Sequence, residues 1–171
     1  MSAHWHPNHW LQGVTLNAQD ALHWSCLVAL QDKLRMLGMT GIDSANIRIR
    51  DTVFSFREQK QNQTGDPTPL CIIAPGDKEL KLPGLNATDD VGYPCLIAWY
   101  DKNVIDVDDN TKLKQQLRWR EQAERALDNG RLTGLERVKT TPEMIVNIPT
   151  WINNYLVGLL GVLCIGRRAR G

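Results

Sequence analysis

The most informative segment of this chain is Tyr93-Pro94-Cys95-Leu96-Ile97-Ala98-Trp99-Tyr100-Asp101-Lys102. It holds six apolar or aromatic residues without a break, from Cys95 to Tyr100, and becomes polar at Asp101. A strand buried on both faces has this pattern, because it has no solvent-facing side on which polar residues would alternate. We therefore predict a central buried strand over 94–100.

An amphipathic helix is predicted before this strand, over about residues 18–37. Asn17 suits the N-cap, and the apolar residues that follow recur at spacings of three and four. Gly38 then provides a C-terminal stop. His23 and Trp24 lie beside the apolar stripe, and we expect both to pack on the helix surface.

A second amphipathic helix is predicted over 111–129. Asp109 and Asn110 suit its N-terminus, where the helix dipole is positive, and Gly130 comes directly after its predicted end. Its outer side is basic and includes Arg118 and Arg125. The predicted buried stripe consists of Leu113, Leu117, Ala123 and Leu127.

Shorter extended segments and two long polar loops, 57–69 and 76–92, complete the pattern. The segment 46–51 alternates with period two, which places Arg48 and Arg50 on a solvated face. Trp151 and Tyr155 predict a single helical turn. Further strands are predicted at 70–75, 137–141, 144–146 and 156–165, and 53–56 either continues the strand before it or starts a neighbour.

This order of elements predicts an α+β fold. We expect one domain over 17–171, in which a mixed or antiparallel sheet is flanked by the two helices. An N-terminal arm, 1–16, precedes it, and a basic tail, 167–171, ends it. A length of 171 residues suits one domain with its own core.

Charge and hydropathy limit the function classes. Lys and Arg total 20 against 19 for Asp and Glu, a net charge of +1, which argues against a main role in neutralising phosphate backbones. The most apolar stretch, 156–165, is too short to cross a bilayer, so no membrane span is predicted. Residues 1–10 contain no apolar core after a basic start, so no signal peptide is predicted.

The cysteines and acidic clusters do not predict a metal or cofactor site. Cys26, Cys71, Cys95 and Cys164 form no Cys-x-x-Cys pair and lie in apolar segments, which is typical of buried thiols in a reducing compartment. The alternative is a small enzyme with Cys95 or Cys71 as nucleophile and His23 or an N-terminal histidine as base. The histidines at 4, 6 and 9 surround Pro7 without a preorganised geometry, and the acidic pairs are expected in turns and caps.

A resemblance adds to this interpretation. The order helix, strands, long loops, central buried strand, basic helix and closing strand is similar to the small head-to-tail joining proteins of tailed bacteriophages, above all to tail terminators. The residues that carry it are Pro94–Tyr100, the helix with its Leu-Arg-Trp-Arg-Glu centre, Trp151 with Tyr155, and the terminal Arg-Arg-Ala-Arg-Gly.

The resemblance implies a virion protein without catalytic residues, made in the host cytoplasm. It implies a ring, commonly of six copies, that caps the tail tube, docks on the connector and lets DNA pass through its lumen without specific binding. Another neck or head-completion protein would have the same features. The tryptophan- and histidine-rich N-terminus departs from the pattern.

A ring subunit must present two complementary surfaces. We expect the acidic segment 101–109, with Asp106 and Asp108, to face Arg118 and Arg125 of the next subunit, and the loop 57–69 to point toward the lumen or the neighbouring ring. Further interface candidates lie at the two ends of the chain: Trp5, Trp10, Arg167, Arg168 and Arg170.

Overall fold

The computed structural model describes residues 21–58, 60–76, 80–82, 88–102, 110–128, 130–132, 135–143, 150–152 and 155–169. Two helices are described, α1 (Leu22–Met36) and α2 (Thr111–Leu127), with a 3-10 turn at Ser44–Asn46. The described strands are β1 (Ile47–Ile49), β2 (Leu70–Pro75), β3 (Leu80–Leu82), β4 (Thr88–Lys102), β5 (Gly130–Leu132), β6 (Leu135–Glu143), β7 (Thr150–Ile152) and β8 (Tyr155–Ala169).

These strands form one mixed sheet in the order β1-β2-β4-β8-β6-β5, with β3 beside β4 and β7 beside β8. The pair β1–β2 is parallel, and the other described pairs are antiparallel. The predicted fold class, an α+β domain with a mixed sheet and two main helices, is confirmed.

The centre of the sheet is the long antiparallel pair of β4 and β8, which runs in register from Thr88 opposite Ala169 to Lys102 opposite Tyr155. Side chains alternate between two cores along β4. Ile97 belongs to one core and its neighbour Ala98 to the other, and both are fully buried. The predicted strand buried on both faces is therefore confirmed, although it is longer than predicted at each end.

Both helices pack on the same face of the sheet and close what we call the helix-side core. Leu30 and Leu34 of α1 and Trp119 and Leu127 of α2 are fully buried there. The indole Nε1 of Trp119 also donates a hydrogen bond of 2.8 Å to the carbonyl of Thr40, in the connection after α1. This bond fixes α2 to the connection that follows α1.

The opposite face carries the loop-side core, formed by the alternate residues of the same strands. Its buried members are Val53, Leu70, Ile72, Ala74, Ala98, Tyr100, Tyr155 and Val157, and Phe56 packs against them. Val53 and Phe56 belong to the segment between β1 and β2. The predicted strand at 53–56 is wrong: the segment turns, and Thr52 accepts hydrogen bonds from Phe54 and Ser55.

The start of helix α1 differs from the prediction, and its end agrees with the prediction. Helix α1 begins at Leu22, a turn later than expected, because Ala21 has an extended ψ of 136°; the predicted cap, Asn17, lies outside the described residues. Gly38 has a φ of +61°, the left-handed conformation that ends helices, so the predicted stop is confirmed.

The predicted buried stripe of α2 is half wrong. Ala123 and Leu127 are buried, whereas Leu113 and Leu117 are exposed. Gln116 lies on the buried side instead, where its Nε2 donates bonds of 3.1 Å to the carbonyls of Trp99 and Leu156. The amide nitrogen of Gln116 is thus satisfied by fixed partners, whereas its Oε1 is buried without a hydrogen-bond partner in the described part of the chain.

The predicted loop 76–92 is also partly wrong, because β3 pairs with β4, whose first residue is Thr88. Trp151 lies in β7 and Tyr155 at the start of β8, and these two strands pair with each other, so the prediction that Trp151 and Tyr155 lie in one helical turn is wrong. In both places the backbone pairs with a neighbouring strand, and such pairing does not require an apolar or alternating sequence. The predicted strand at 144–146 lies outside the described residues.

Candidate functional site

Exposed side chains of α2 form the first candidate surface, which we call the helix surface: Leu113, Lys114, Leu117 and Arg118. The two leucines lie one turn apart and are 40% and 44% exposed. Next to them Arg125 pairs with Glu121 on the same helix at 2.6 Å. The helix surface therefore combines two apolar side chains with two cationic ones.

The first residue of the acidic segment 101–109, which was predicted to face the next subunit, lies inside its own subunit instead. Asp101 is almost fully buried, and Lys112 at the start of α2 lies 3.2 Å from its carboxylate. An acid that is buried and paired within its own subunit is not available to a neighbouring subunit. Asp101 therefore joins β4 to α2, and the predicted role of the acidic segment is wrong for this residue.

The polar loop 57–69 is bound back to the sheet through Asp66, which pairs closely with Arg50 and lies 3.9 Å from Arg48. The guanidinium of Arg50 donates to both carboxylate oxygens of Asp66, each at 2.7 Å. The backbone N–H of Arg57 also donates to Asp66, at 2.7 Å. The side chain of Asp66 is 8% exposed, and the hydrogen bonds from Arg50 and Arg57 lower its pKa below the usual range. The predicted solvated role of Arg50 is therefore wrong.

An open cleft lies where this loop meets the loop-side core, and we call it the aromatic cleft. It has a volume of about 740 Å³, which is in the usual range for ligand-binding clefts. Its lining consists of Phe54, Phe56, Arg57, Glu58, Lys60, Gln63, Thr64, Tyr100 and Tyr155.

The floor of the cleft is a rigid aromatic cluster. Phe56 stacks on Tyr100 with ring centres 4.5 Å apart and an interplanar angle of 4°, and it meets Tyr155 edge-on at 4.6 Å. The hydroxyl of Tyr100 donates a bond of 2.7 Å to the carbonyl of Val53, and burial raises its pKa. These contacts hold the rings in place, so the floor is preformed.

The rim of the cleft is both apolar and cationic. Phe54 is 64% exposed, at a turn that its own N–H bond to Thr52 stabilises. Arg57 and Lys60 are also exposed, and within the described residues neither side chain pairs with a carboxylate. The cleft therefore presents one exposed aromatic ring, two cations and the carboxylate of Glu58 beside a fixed aromatic floor.

The thiols do not have the setting of a nucleophile. All four cysteines are buried and free, and burial raises the pKa of Cys71. The thiol of Cys95 lies 3.7 Å from the carbonyl of Tyr93. His23 is engaged elsewhere, with its Nε2 2.8 Å from the carbonyl of Pro94 and its ring packed against Tyr93. A thiolate nucleophile needs an exposed electropositive setting, which these residues lack.

The structure places some of the predicted interface residues and leaves others outside its described part. Arg118 and Arg125 are exposed on α2, as predicted. Arg167 and Arg168 lie in β8, opposite Asp90 and Asp89, so they are not part of a terminal tail. The other predicted interface residues lie outside the described residues: Trp5, Trp10, Asp106, Asp108 and Arg170.

Sequence reasoning missed the aromatic cleft and the exposed leucines. The pair Phe54 and Phe56 was present as a signal, but its alternation with Val53 and Ser55 indicates a strand equally well. For the contact between the loop and the sheet, the sequence offered one aspartate, Asp66, and two arginines of the preceding extended segment, Arg48 and Arg50. Opposite charges that are distant in sequence indicate a contact only when the fold brings them together.

No protein-family model matches this chain, and no curated protein matches it. Within the described part of the chain, no group of three or more His, Cys, Asp or Glu side chains is arranged to hold a metal ion. Neither described helix is long and apolar enough to cross a membrane. The function must therefore be argued from the two candidate surfaces themselves.

Proposed function

We propose that this chain is a ring-forming structural subunit of a bacteriophage virion, of the tail-terminator class. In this role it caps the tail tube and joins it to the connector of the head. The observation that supports the proposal is the presence of exposed apolar side chains on opposite sides of one sheet. Leu113 and Leu117 lie on the helix side, and Phe54 lies on the loop side.

Two different apolar surfaces suit a closed ring. In a ring each subunit contacts the next through two unlike surfaces, whereas a two-fold dimer uses one surface twice. The buried centres of interfaces are more apolar than the rest of the surface and are enriched in aromatic side chains and arginine. The helix surface, with Arg118 beside its leucines, and the aromatic cleft fit this requirement as the two sides of one interface.

The edge of the sheet at β1 is a less suitable interface. The carbonyl of Ile47 already accepts hydrogen bonds from the side chains of Gln31 and Arg35, at 2.9 and 3.0 Å. An edge strand whose polar groups are occupied resists pairing with another chain. Pairing of another chain with β1 at Ile47 would have to displace these bonds, so contact through the faces of the domain is favoured over contact through β1.

Glutamates at both leucine positions test the proposal. The double variant Leu113→Glu and Leu117→Glu is expected to fold, because both side chains are exposed, but to remain monomeric under conditions in which the native chain forms rings. The matched control, Leu113→Met with Leu117→Met, retains apolar surface and is expected to form rings. Negative-stain electron microscopy and sedimentation velocity measure both. Rings of normal size in the glutamate variant would contradict this interface.

Charge reversal on the same helix separates Arg118 from Arg125. Arg125 is already paired with Glu121, so its reversal also breaks a contact within the helix. Arg118→Glu alone is the cleaner variant, since no ion pair is described for its side chain. We expect Arg118→Glu to weaken ring formation more than Arg125→Glu in the same sedimentation experiment.

A further inference from the structure

We propose that Glu58, in the lining of the aromatic cleft, binds Arg118 of the next copy of this chain, and that this ion pair decides how the helix surface lies in the cleft. The inference rests on the proposed function, because the ring brings these two surfaces together. It adds the pair of charged side chains that gives their contact one register. Glu58 lines the cleft, and Arg118 lies on α2 directly after Leu117.

Neither side chain is engaged within its own described domain. Arg118 is exposed and Glu58 is half-buried, and no ion pair joins either of them to another described residue. Three other cations are paired on α2 or at its start: Lys112 with Asp101, Arg120 with Glu124, and Arg125 with Glu121. Arg118 and Lys114 therefore remain as cations of α2 that lack a described carboxylate partner. Of these two, the planar guanidinium of Arg118 can bind a carboxylate through two parallel hydrogen bonds.

The charges of the cleft restrict where such an arginine can lie. Arg57 and Lys60 are exposed cations, and among the described lining residues the carboxylate is that of Glu58. Like charges that meet across an interface repel each other and thereby exclude wrong arrangements of the two surfaces. An arginine carried into the cleft by its helix is repelled at two positions and attracted at one. Glu58 therefore selects the register.

The same helix face carries a carboxylate that offsets the two cations of the cleft. Glu121 lies one turn after Arg118 and is exposed, and its partner in the same helix is the still more exposed Arg125. An ion pair between exposed side chains contributes little to stability, so Glu121 can turn from it toward a neighbouring cation. This carboxylate reduces the repulsion between α2 and the pair Arg57 and Lys60.

Apolar side chains next to both members of the pair strengthen it. Leu117, beside Arg118, is 44% exposed, and Phe54, in the lining of the cleft, is 64% exposed. Contact between these two side chains removes water from the region of the ion pair. Opposite charges attract each other more strongly where the local dielectric constant is low.

Two variants with opposite changes of charge test the inference. Arg118→Glu alone and Glu58→Arg alone each bring like charges together at every contact between copies, so we expect association to weaken about tenfold in each. In an equimolar mixture of the two, the reversed charges meet at one contact and the native charges at the next. We expect the mixture to associate again, into species that contain both variants in equal amounts. Sedimentation velocity and native mass spectrometry measure both effects.

A double variant and a matched control make the test specific. Arg118→Glu with Glu58→Arg in one chain exchanges the two charges and is expected to restore rings. Asp32→Arg makes the same change of charge on α1, outside both surfaces, and is expected to form rings like the native chain. Combined with Arg118→Glu, it restores the net charge without the ion pair, and we expect association to stay weak. Urea unfolding of each variant checks that the fold is retained.

The possible outcomes separate this inference from the proposed function. If the native chain forms rings but the double variant associates no better than the single variants, the ion pair is wrong and the ring stands. Single variants that assemble as the native chain does would also overturn the pair alone. A native chain that stays monomeric would overturn the ring and the pair together. Recovery in the double variant, without recovery in the Asp32→Arg control, supports both.

Discussion

The two faces of the central sheet are closed in different ways. On the helix side, two helices bury large apolar residues such as Leu30 and Trp119 completely. On the loop side, aromatic rings meet a polar loop that Asp66 ties to the sheet, through a close ion pair with Arg50 and a longer one with Arg48. Apolar burial stabilises the whole domain, whereas a polar loop contact opens locally at lower cost. The loop side can therefore take part in binding without loss of the fold.

The largest expected effect concerns the helix side. Trp119→Ala removes a fully buried indole and its hydrogen bond to Thr40, and we expect the free energy of unfolding to fall by about 3–5 kcal/mol. Trp119→Phe, which retains most of the apolar volume, is expected to lose less. Urea denaturation measures both, and Leu117→Ala on the exposed side of α2 is the control. Equal losses for Trp119→Ala and Leu117→Ala would contradict the assignment of the buried face.

Gly158 tests the contact between α2 and the sheet. A Cβ added at this position would lie 2.6 Å from Oε1 of Gln116, whose amide is fixed by two hydrogen bonds. We expect Gly158→Ala to lower the free energy of unfolding by about 1–3 kcal/mol. In a double-mutant cycle with Gln116→Ala, the combined loss is expected to be smaller than the sum of the two single losses. Simple additivity would show that the two residues do not meet.

On the loop side, Asp66→Asn is expected to act locally. It removes the charge that binds Arg50, and a hydrogen bond to a charged group contributes about 1.5–3 kcal/mol. We expect faster hydrogen exchange at the amides of Arg57 and Asp66, with little change at the amides of β4. An equal increase in the exchange rates of the β4 amides would show that the loop and the sheet unfold together. It would contradict the view that the loop side opens locally.

The same ion pair predicts a pH dependence. The folded-state pKa of Asp66 is lowered, so its stabilising contribution is complete above the pKa of the unfolded chain and is lost as the pH falls through the lowered folded value. We expect the amide resonance of Arg57, which bonds to this carboxylate, to shift at acidic pH with the titration of Asp66. Asp66→Asn should abolish that shift.

The smallest expected effect on stability is that of Phe54→Ala. Its ring is mostly exposed, so we expect the free energy of unfolding to change by no more than about 0.5 kcal/mol. Thermal unfolding monitored by circular dichroism measures this change. A substitution that leaves the fold intact and weakens contact with a partner would mark Phe54 as a binding residue. A large loss of stability would instead place it in the core.

The sequence predicts the core of the fold better than its surfaces. The unbroken apolar run at 95–100 requires burial on both faces, and the periodic residues of α1 with Gly38 after them define a helix and its end. Both predictions depend on local patterns. Strand β3 and the start of β4 were missed because their pairing comes from partners elsewhere in the chain, which local composition does not reveal.

The candidate site was harder to predict for a related reason. Helix α2 buries Gln116 in line with Trp119, Ala123 and Leu127, and the amide nitrogen of Gln116 bonds to the carbonyls of two strands. Leu113 and Leu117 consequently become exposed. A hydropathy pattern places glutamine on the exposed side. The basic outer side of α2, with Arg118 and Arg125, was predicted correctly because it depends on helical spacing alone.

In the proposed ring, unlike surfaces on the two sides of the sheet join neighbouring copies of this chain. The most direct test is the mass of the purified native chain in solution, by multi-angle light scattering at two concentrations and two salt levels. We predict a discrete species of fixed copy number, which the resemblance to tail terminators places at six. A monomer under all four conditions would contradict the claim.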